Sequence, residues 1–317
     1  TKMSEPQKEP GWERQVLEKL ALSAIQEQRR TRHWGILFKT LGFLYLFIVL
    51  FLAAGWFRGE GVTIPSAHTA LVDVQGVISA DQVSADSVIA SLQGAFEDKR
   101  TKGVVLRINS PGGSPVHAGQ IYDEIKRLRA LHPRIPLYAV IDDISASGGY
   151  YVAAAADKIF VDKASLVGSI GVLVDGFGFT HTMDKLGVER RLLTAGENKG
   201  FLDPFSPVNA EQQAHAKQML EEIHGQFIAM VRKGRGARLK ETPEIFSGLV
   251  WSGEKSIELG LADAYGNVES VARDVIKAEN IVDYTQQESL AERLAGRFGA
   301  AMAQALTPFE KAGVTLR

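Results

Sequence analysis

The chain has 317 residues, with 36 basic and 37 acidic side chains and a formal net charge of −1. This balance gives no general electrostatic attraction to nucleic acid, so no nucleic-acid partner is expected. There is no cysteine, which excludes disulfides, thiolate zinc sites and a cysteine nucleophile. A chain of this length is expected to form one or two domains.

Residues 1–35 are polar and carry many charges of both signs. Apolar residues recur among them at helical spacing, which predicts a short amphipathic helix: Trp12, Val16, Leu17, Leu20 and Ala24. Such a helix lies either on a membrane surface or in a solvated tail, and its mixed charges favour the tail. We interpret residues 1–35 as a separate N-terminal segment.

Residues 36–57 are strongly apolar, and no residue between Leu41 and Phe57 is charged. The run is long enough to cross the hydrocarbon core of a bilayer, and it lacks the polar face of a soluble core helix. A cleaved signal peptide is the alternative interpretation. The polar leader is long for a signal peptide and no clear small-x-small cleavage site follows, so a retained transmembrane helix is favoured.

Basic residues flank this apolar segment unequally. Only Arg58 follows it closely, whereas four basic residues lie before it or near its start: Arg29, Arg30, Arg32 and Lys39. The positive-inside rule then leaves residues 1–35 in the cytoplasm. The linker at 58–66 and the chain after it are expected outside the cytoplasm, in the periplasm or at the cell exterior.

From residue 67 to residue 285, apolar strands alternate with amphipathic helices. Strands are predicted at 68–78, 103–108, 136–141, 158–161 and 189–193, and helices at 83–99, 116–131, 180–186, 209–235 and 268–279. This alternation indicates an α/β domain built from right-handed βαβ units around a mostly parallel sheet. A C-terminal amphipathic helix is predicted within 286–317.

The strand predicted at 136–141 leads to Ser147, which is followed by Gly148, Gly149 and an Ala-rich helix. A serine at a strand-to-helix junction suits a nucleophile, because the helix N-terminus offers unpaired N–H groups and glycine lets a substrate backbone approach. The alternative is that Ser147 only caps the helix, a position that serine commonly occupies. This stretch by itself does not decide between the two.

A second glycine turn follows the strand predicted at 103–108 and reads Asn-Ser-Pro-Gly-Gly-Ser. Ligand sites in parallel sheets form at the carboxyl ends of strands, so the two glycine turns are expected to lie together. The N–H of Gly148 and an N–H of the 112–113 pair, with Gly113 favoured, would then form an oxyanion hole.

The base that takes the proton from Ser147 is either a histidine or a lysine. His117 and His181 stand near loops but in no motif, and the remaining histidines are interpreted as surface residues: His33, His68, His132, His215 and His224. Lys199 stands in the glycine-containing stretch Asn198-Lys199-Gly200-Phe201, where its immediate neighbours are uncharged, and a lysine acts as a base only in its neutral form. An ordinary solvated lysine remains the alternative for Lys199.

Several motifs, in their order and spacing, resemble the signal peptide peptidase A family of membrane-anchored bacterial serine proteases, which use a Ser/Lys dyad. They are Asn-Ser-Pro-Gly-Gly at 109–113, Ala-Ser-Gly-Gly-Tyr-Tyr at 146–151, Gly-Ser-Ile-Gly-Val at 168–172, Lys199, and Ser-Pro at 206–207. The resemblance covers about residues 68–275. With one copy of the pattern, the chain is similar to the half-length form of the family.

The resemblance implies the Clp protease/crotonase fold, with the family's serine on Ser147 and its lysine on Lys199. Ser169, in the third motif, is implied to hold the lysine amine. Asn198 and Gly200 depart from the family pattern, which commonly has an aromatic residue or histidine before the lysine and aspartate after it. Clp proteases themselves place a histidine after the serine where this chain has none.

The resulting prediction is a serine endopeptidase anchored in the bacterial inner membrane, with its protease domain at 67–285. The implied substrates are extended peptides, chiefly remnants of cleaved signal peptides, and neither a cofactor nor a metal is expected. A homo-oligomeric ring is also expected, in which Lys199 of one chain serves Ser147 of its neighbour. Two alternatives remain, a related Ser/Lys protease with other substrates and an inactive membrane scaffold.

Overall fold

The computed structural model describes residues 12–53 and 67–286, which belong to two separate compact units. In the first unit, α1 runs over Trp12–Ala53. It contains one stretch, Arg32–Phe51, that is long and apolar enough to cross a membrane, with a mean hydropathy of 2.0. This agrees in length and composition with the predicted transmembrane segment, whose last residues and the following linker lie outside the described residues.

The second unit is built on a mixed sheet of eight strands. They are β1 His68–Gln75, β2 Thr101–Ser110, β3 Leu137–Ala146, β4 Lys158–Val161, β5 Leu166–Gly168, β6 Val250–Ser252, β7 Ala264–Tyr265 and β8 Ile281–Asp283. The main order is β6-β5-β3-β2-β1-β8, while β4 pairs with β3 and with β7. Every pairing is parallel except that of β5 with β6, which confirms the predicted α/β class.

Seven helices belong to the described part of this unit. They are α2 Ala85–Glu97, α3 Pro115–Leu131, α4 Gly148–Ala153, α5 Thr180–Leu186, α6 Ala210–Arg235, α7 Gly253–Glu258 and α8 Val268–Ser270, which continues as a π-helical turn over Val271–Ile276. Ser84 and Ser114 cap α2 and α3, each accepting a hydrogen bond from an N–H in the first turn.

Of the elements predicted from the sequence, one strand is not formed and one helix lies outside the described residues. The strand predicted at 189–193 is wrong, because residues 188–194 pair with no strand of the described chain and all are exposed. Three of the five residues at 189–193 are charged, and a strand is stable only where a neighbouring strand takes up its N–H and C=O groups. The C-terminal amphipathic helix predicted within 286–317 lies almost wholly outside the described residues.

Strand β3 pairs with two strands in succession along one edge. Tyr138–Ile141 pair with β4, and farther along β3, Ile144–Ala146 pair with β5. The carboxyl end of β3 therefore projects beyond β4 and is supported there by β5. This branch places the residues that follow β3 and β5, Ser147 and Ser169, at neighbouring positions.

The main core lies on the sheet face that is covered by α2, α3, α4 and the C-terminal part of α6. Short alanine side chains after Ser147 let α4 pack closely, and Ala153 and Ala154 are fully buried. Of α6, only three residues near its C-terminal end are buried: Phe227, Val231 and Arg235. The N-terminal half of α6 therefore contributes little to this core.

A buried ion pair fixes the C-terminal end of α6. Two guanidinium nitrogens of Arg235 donate to Asp263 at 2.8 and 2.9 Å, and its Nε donates to the Gly260 carbonyl at 2.8 Å. The Arg235 side chain is 0% exposed and that of Asp263 is 13% exposed. Burial alone raises the pKa of Asp263, but the hydrogen bonds and charge of Arg235 outweigh it and hold that pKa below its ordinary value.

Replacing Arg235 with methionine should lower the free energy of unfolding by about 3–5 kcal/mol, because Asp263 is left buried without its main partner. Arg238→Met is the matched control. It removes a more exposed arginine that pairs with the same carboxylate at 3.1 Å, and it should cost about 1 kcal/mol or less. Urea unfolding at pH 7 measures both. Because the pKa of Asp263 is lowered, the wild-type contribution of the pair should disappear as the pH falls through that value. Equal effects of the two substitutions would contradict this account.

Candidate active site

Ser147 lies in a sharp turn between β3 and α4. Its backbone has φ 50° and ψ −123°, an uncommon conformation for a residue with a side chain. Its side chain makes no capping hydrogen bond, and its hydroxyl has no partner among the described residues. Ser147 therefore occupies the N-cap position of α4 without capping the helix through its side chain. A strained backbone with a free hydroxyl is a common arrangement for a residue with a chemical role.

The backbone of the first glycine turn passes directly against Ser147. A Cβ added to Gly112, whose φ is 106°, would lie 2.7 Å from the Ser147 Cβ and 2.8 Å from the Gly148 nitrogen. Ile78 holds this turn on its other side, because its N–H donates to the Gly112 carbonyl and its carbonyl accepts from Ser114, both at 2.8 Å. Only glycine fits at this contact, so the two predicted glycine turns do lie together.

The two N–H groups proposed for the oxyanion hole are neighbours. A Cβ added to Gly148 would lie 3.3 Å from the Gly113 nitrogen. Within residues 67–286, neither of these N–H groups donates a hydrogen bond to another group. Two unpaired donors beside a serine hydroxyl suit the negative oxygen that develops when a carbonyl is attacked.

Ser169 stands next to Ser147 and shares its unusual backbone. The Ser147 N–H donates to the Gly168 carbonyl at 2.9 Å, and the Ser169 N–H donates to Leu249 at 2.7 Å. Ser169 has a φ of 52°. Adjacent strands are about 4.8 Å apart, so the two serines end neighbouring strands at close range. The Ser169 hydroxyl has no partner in the described part of the chain.

Lys199 is exposed in a loop that is held against the N-terminal half of α6. The side-chain amide of Gln212 makes two hydrogen bonds to this loop. Its Nε2 donates to the Asn198 side-chain oxygen at 3.1 Å, and its Oε1 accepts from the Leu202 N–H at 3.4 Å. Farther along α6, His224 contacts the Ile170 carbonyl at 3.0 Å, directly after Ser169. At a rise of roughly 1.5 Å per residue, about 18 Å of helix axis separates Gln212 from His224. Within one chain, the Lys199 loop and the backbone beside Ser169 are therefore bonded to α6 at points about 18 Å apart along its axis.

The histidines that competed with Lys199 as bases have other positions. His117 uses its Nδ1 to accept a hydrogen bond from the Ala85 N–H at 3.1 Å, at the start of α2. His181 is exposed on α5. His224, interpreted from sequence as a surface residue, is half-buried and bonded to the backbone beside Ser169. No local signal marks this role, because its partner is 54 positions away in the chain.

An open cleft of about 900 Å³ lies elsewhere, beside the middle of β3 and the carboxyl ends of β4 and β7. Its lining includes Asp142, Asp143, Asp162 and Lys163 but neither glycine turn. Burial raises the pKa of Asp142, and Arg107 opposes that shift. The two serine hydroxyls in its lining, those of Ser165 and Ser270, are both engaged in hydrogen bonds with backbone groups, unlike the hydroxyl of Ser147.

Gly112→Ala should slow labelling of Ser147 by a fluorophosphonate roughly 100-fold, since the new methyl group must displace Ser147 and such displacements are costly. Gly119→Ala is the matched control, because its added Cβ would meet only the Tyr151 hydroxyl at 4.0 Å. The rate of label incorporation, followed by mass spectrometry with thermal unfolding in parallel, measures the effect. Unchanged labelling in a folded Gly112→Ala variant would contradict the close approach.

Two family models match this domain. The model of peptidase family S49 matches residues 129–282, which include the serine turn, the Lys199 loop and α6. The model of Clp protease matches residues 68–165, from β1 through the first glycine turn and Ser147. Together with the mostly parallel sheet, these matches confirm the Clp protease-like fold that the sequence predicts.

Individual relatives match this chain over different shares of their own length. A putative protease of Methanocaldococcus jannaschii is 30% identical over 224 residues, which are 71% of this chain and 71% of that protein. A putative signal peptide peptidase SppA of Enterococcus faecium is 30% identical over 209 residues, 66% of this chain and 60% of that protein. A Brucella melitensis protein named Na(+)/H(+) antiporter NhaA is 44% identical over 191 residues, 60% of this chain, but the chain spans only 26% of its length.

The similarity to the archaeal protease extends over most of both proteins, and the S49 model includes both halves of the predicted dyad. The chain therefore belongs to peptidase family S49, the family of signal peptide peptidase A.

Proposed function

We propose that this protein is a membrane-anchored serine endopeptidase that cleaves extended peptides, with remnants of signal peptides as its substrates. The observation that carries the proposal is the turn at Ser147, where a free hydroxyl on a strained backbone stands beside the unpaired N–H groups of Gly113 and Gly148. This combination suits nucleophilic attack on a carbonyl group followed by capture of the oxyanion.

In the proposed reaction, the Ser147 Oγ attacks the peptide carbonyl carbon and its proton passes to the neutral amine of Lys199. The carbonyl oxygen becomes an oxyanion that accepts hydrogen bonds from the two glycine N–H groups. Protonated Lys199 then gives its proton to the leaving amine as the peptide C–N bond breaks. Water hydrolyses the resulting ester on Ser147 with the same lysine as base, so the reaction requires no cofactor.

We further propose that the amine comes from a neighbouring chain and that the Ser169 hydroxyl holds it in place. The contacts of α6 support this, because Asn198 in the lysine loop is bonded to Gln212 whereas Ile170, beside Ser169, is bonded to His224 farther along the helix. A homo-oligomeric ring would bring the Lys199 loop of one chain to the Ser147 turn of the next.

The chain segment that carries Lys199 has the surface expected of an interface. No residue of α5 is buried. Large apolar side chains are exposed along residues 171–209, and the most exposed are Leu173 at 78%, Phe177 at 77%, Leu186 at 72%, Leu193 at 97% and Val208 at 77%. A protein that remains monomeric rarely exposes so many large apolar side chains in one segment. A second copy of the chain would cover them.

The proposed location is the bacterial inner membrane, with residues 1–35 in the cytoplasm and the protease domain outside it. The apolar stretch Arg32–Phe51 in α1 supports the anchor. The antiporter name of the Brucella relative describes a protein of which this chain spans about a quarter, and no transport activity is proposed. A related Ser/Lys protease with other substrates would share the same site, and an inactive scaffold would not react at Ser147.

Both Ser147→Ala and Lys199→Arg should abolish cleavage of casein and of apolar signal-like peptides. The first removes the nucleophile, and the second installs a side chain that stays protonated and cannot act as a base. Thermal unfolding should change little, because neither side chain makes a hydrogen bond within the described residues. Lys102→Arg, at an exposed position on β2, is the control and should keep full activity. Cleavage by Ser147→Ala at the wild-type rate would refute the nucleophile, and an active Lys199→Ala beside an inactive His117→Ala would refute the base.

A mixture of the Ser147→Ala and Lys199→Ala variants should recover part of the wild-type activity. In a mixed ring, some interfaces pair an intact serine with an intact lysine from the next chain. The two variants are unfolded and refolded together with different affinity tags, and peptide cleavage is measured on assemblies purified through both tags. Assemblies that contain both variants but remain inactive would show that the dyad lies within one chain.

A further inference from the structure

The backbone beside the serine turn is fixed by a histidine side chain that the proposed dyad does not use. Each residue from Gly168 to Ile170 has one backbone group bonded to a different part of the domain. Gly168 accepts from the Ser147 N–H, the Ser169 N–H donates to Leu249, and the Ile170 carbonyl meets His224 Nε2 at 3.0 Å. Of these three partners, His224 is the one that acts through its side chain.

His224 contacts the backbone at Ile170, directly after the strained residue Ser169. Ser169 holds a φ of 52°, a conformation that persists only when the surroundings fix it. Ile170 is fully buried, whereas from Leu173 onward the chain is largely exposed. In the described chain, the bond from His224 is the last hydrogen bond to another part of the domain before the largely exposed stretch from Leu173 onward. The Ile170 side chain is held in the core, and the bond from His224 adds a direct restraint on the Ile170 carbonyl, next to Ser169.

The chemistry of this hydrogen bond fixes the direction in which it acts. A carbonyl oxygen only accepts, so His224 Nε2 carries the hydrogen and donates. Both the neutral Nε2–H tautomer and the protonated imidazolium can make this bond. His224 therefore restrains the backbone in either charge state and does not need to exchange a proton with substrate.

Helix α6 also connects His224 to the lysine loop. Near the N-terminus of α6, Gln212 is hydrogen-bonded to Asn198 and Leu202. Near the C-terminus of α6, Phe227 packs against Tyr151 of α4, with ring centroids 4.9 Å apart. His224 lies between these two attachments. It is the point at which the helix carrying the lysine loop is bonded to the backbone beside the serine.

We propose that His224 is a positioning residue that, by donating to the Ile170 carbonyl, holds Ser169 and the adjoining serine turn in their reactive geometry. This inference rests on the proposed function of Ser147 and Lys199. It assigns His224 no contact with substrate and no proton transfer. Loss of the hydrogen bond should therefore lower kcat and leave KM nearly unchanged.

The test uses three substitutions that differ in where they place a donor. In glutamine, Nε2 is separated from Cβ by the same number of bonds as Nε2 of histidine, so His224→Gln can donate to the same carbonyl. In asparagine the amide nitrogen is one bond closer to the backbone, so His224→Asn has the same chemistry but falls short. His224→Leu keeps the bulk and removes the donor. Gln226→Leu, at an exposed position on the same helix, is the control.

We expect His224→Leu and His224→Asn to lose roughly ten- to 100-fold in kcat, the range produced by a small displacement of catalytic groups. His224→Gln should stay within about threefold of the wild-type kcat, which is less than 1 kcal/mol. All four variants of the full chain are compared by kcat and KM on a signal-like peptide and by the rate of fluorophosphonate labelling at Ser147. Thermal unfolding and oligomer size are measured on the same samples.

The pattern of results separates this inference from the function on which it rests. A wild-type protein that neither cleaves peptide nor takes the label refutes the proposed function. With an active wild type, equal kcat values for His224→Gln, His224→Asn and His224→Leu refute the positioning role, whether all three are impaired or all three are normal. A rise in KM without a change in kcat also refutes it, because it would place His224 in substrate binding.

Discussion

The close approach of Gly112 to Ser147 is the constraint on which the candidate site depends. Their backbones are near enough that a methyl group on Gly112 would overlap the serine Cβ. This contact sets the distance between the two glycine turns and brings the N–H of Gly113 beside that of Gly148. It also requires φ values at Gly112 and Gly113 that other residues rarely adopt. The proposed nucleophile and the two proposed oxyanion donors are thus held together by backbone contacts.

The candidate site also depends on the branch in the sheet, where β3 pairs first with β4 and then with β5. If β4 had continued along β3, the serine turn would have a long strand at its side. Instead β4 ends at Val161, and the short strand β5 takes its place beside Ala146. Short β5 ends at Gly168, so two serines with positive φ follow neighbouring strand ends. The same region is joined by β6, which runs antiparallel to β5.

Much of this arrangement could be predicted from the sequence because it is local. The strands before Ser147 and Asn109, the glycine turns after them and the long helix at 209–235 all have short-range signals in apolar periodicity or in Gly and Pro positions. The carboxyl ends of neighbouring parallel strands must meet at one edge of the sheet, which brought the two glycine turns together without further information.

Contacts between segments that are far apart in the chain, or between chains, could not be predicted from the sequence. Residues 189–193 are three charged side chains followed by two leucines, and in the described chain no strand pairs with them. His224 resembles any polar residue on an amphipathic helix, and its partner is fixed only when α6 packs against the sheet. Burial of Arg235 depends in the same way on Asp263, which belongs to a later part of the chain.

Helix α6 takes part in several of these long-range contacts. Its C-terminal end is fixed in the core by Phe227 and Arg235, its middle is bonded to Ile170, and its N-terminal half holds the Lys199 loop outside the core. If Lys199 serves the next chain, each active site combines the serine side of one domain with the lysine side of another. A free chain would then have a nucleophile and oxyanion donors but no base. Under that proposal peptide cleavage would be confined to the assembled protein, because the exposed segment that carries Lys199 also carries the apolar surface proposed for assembly.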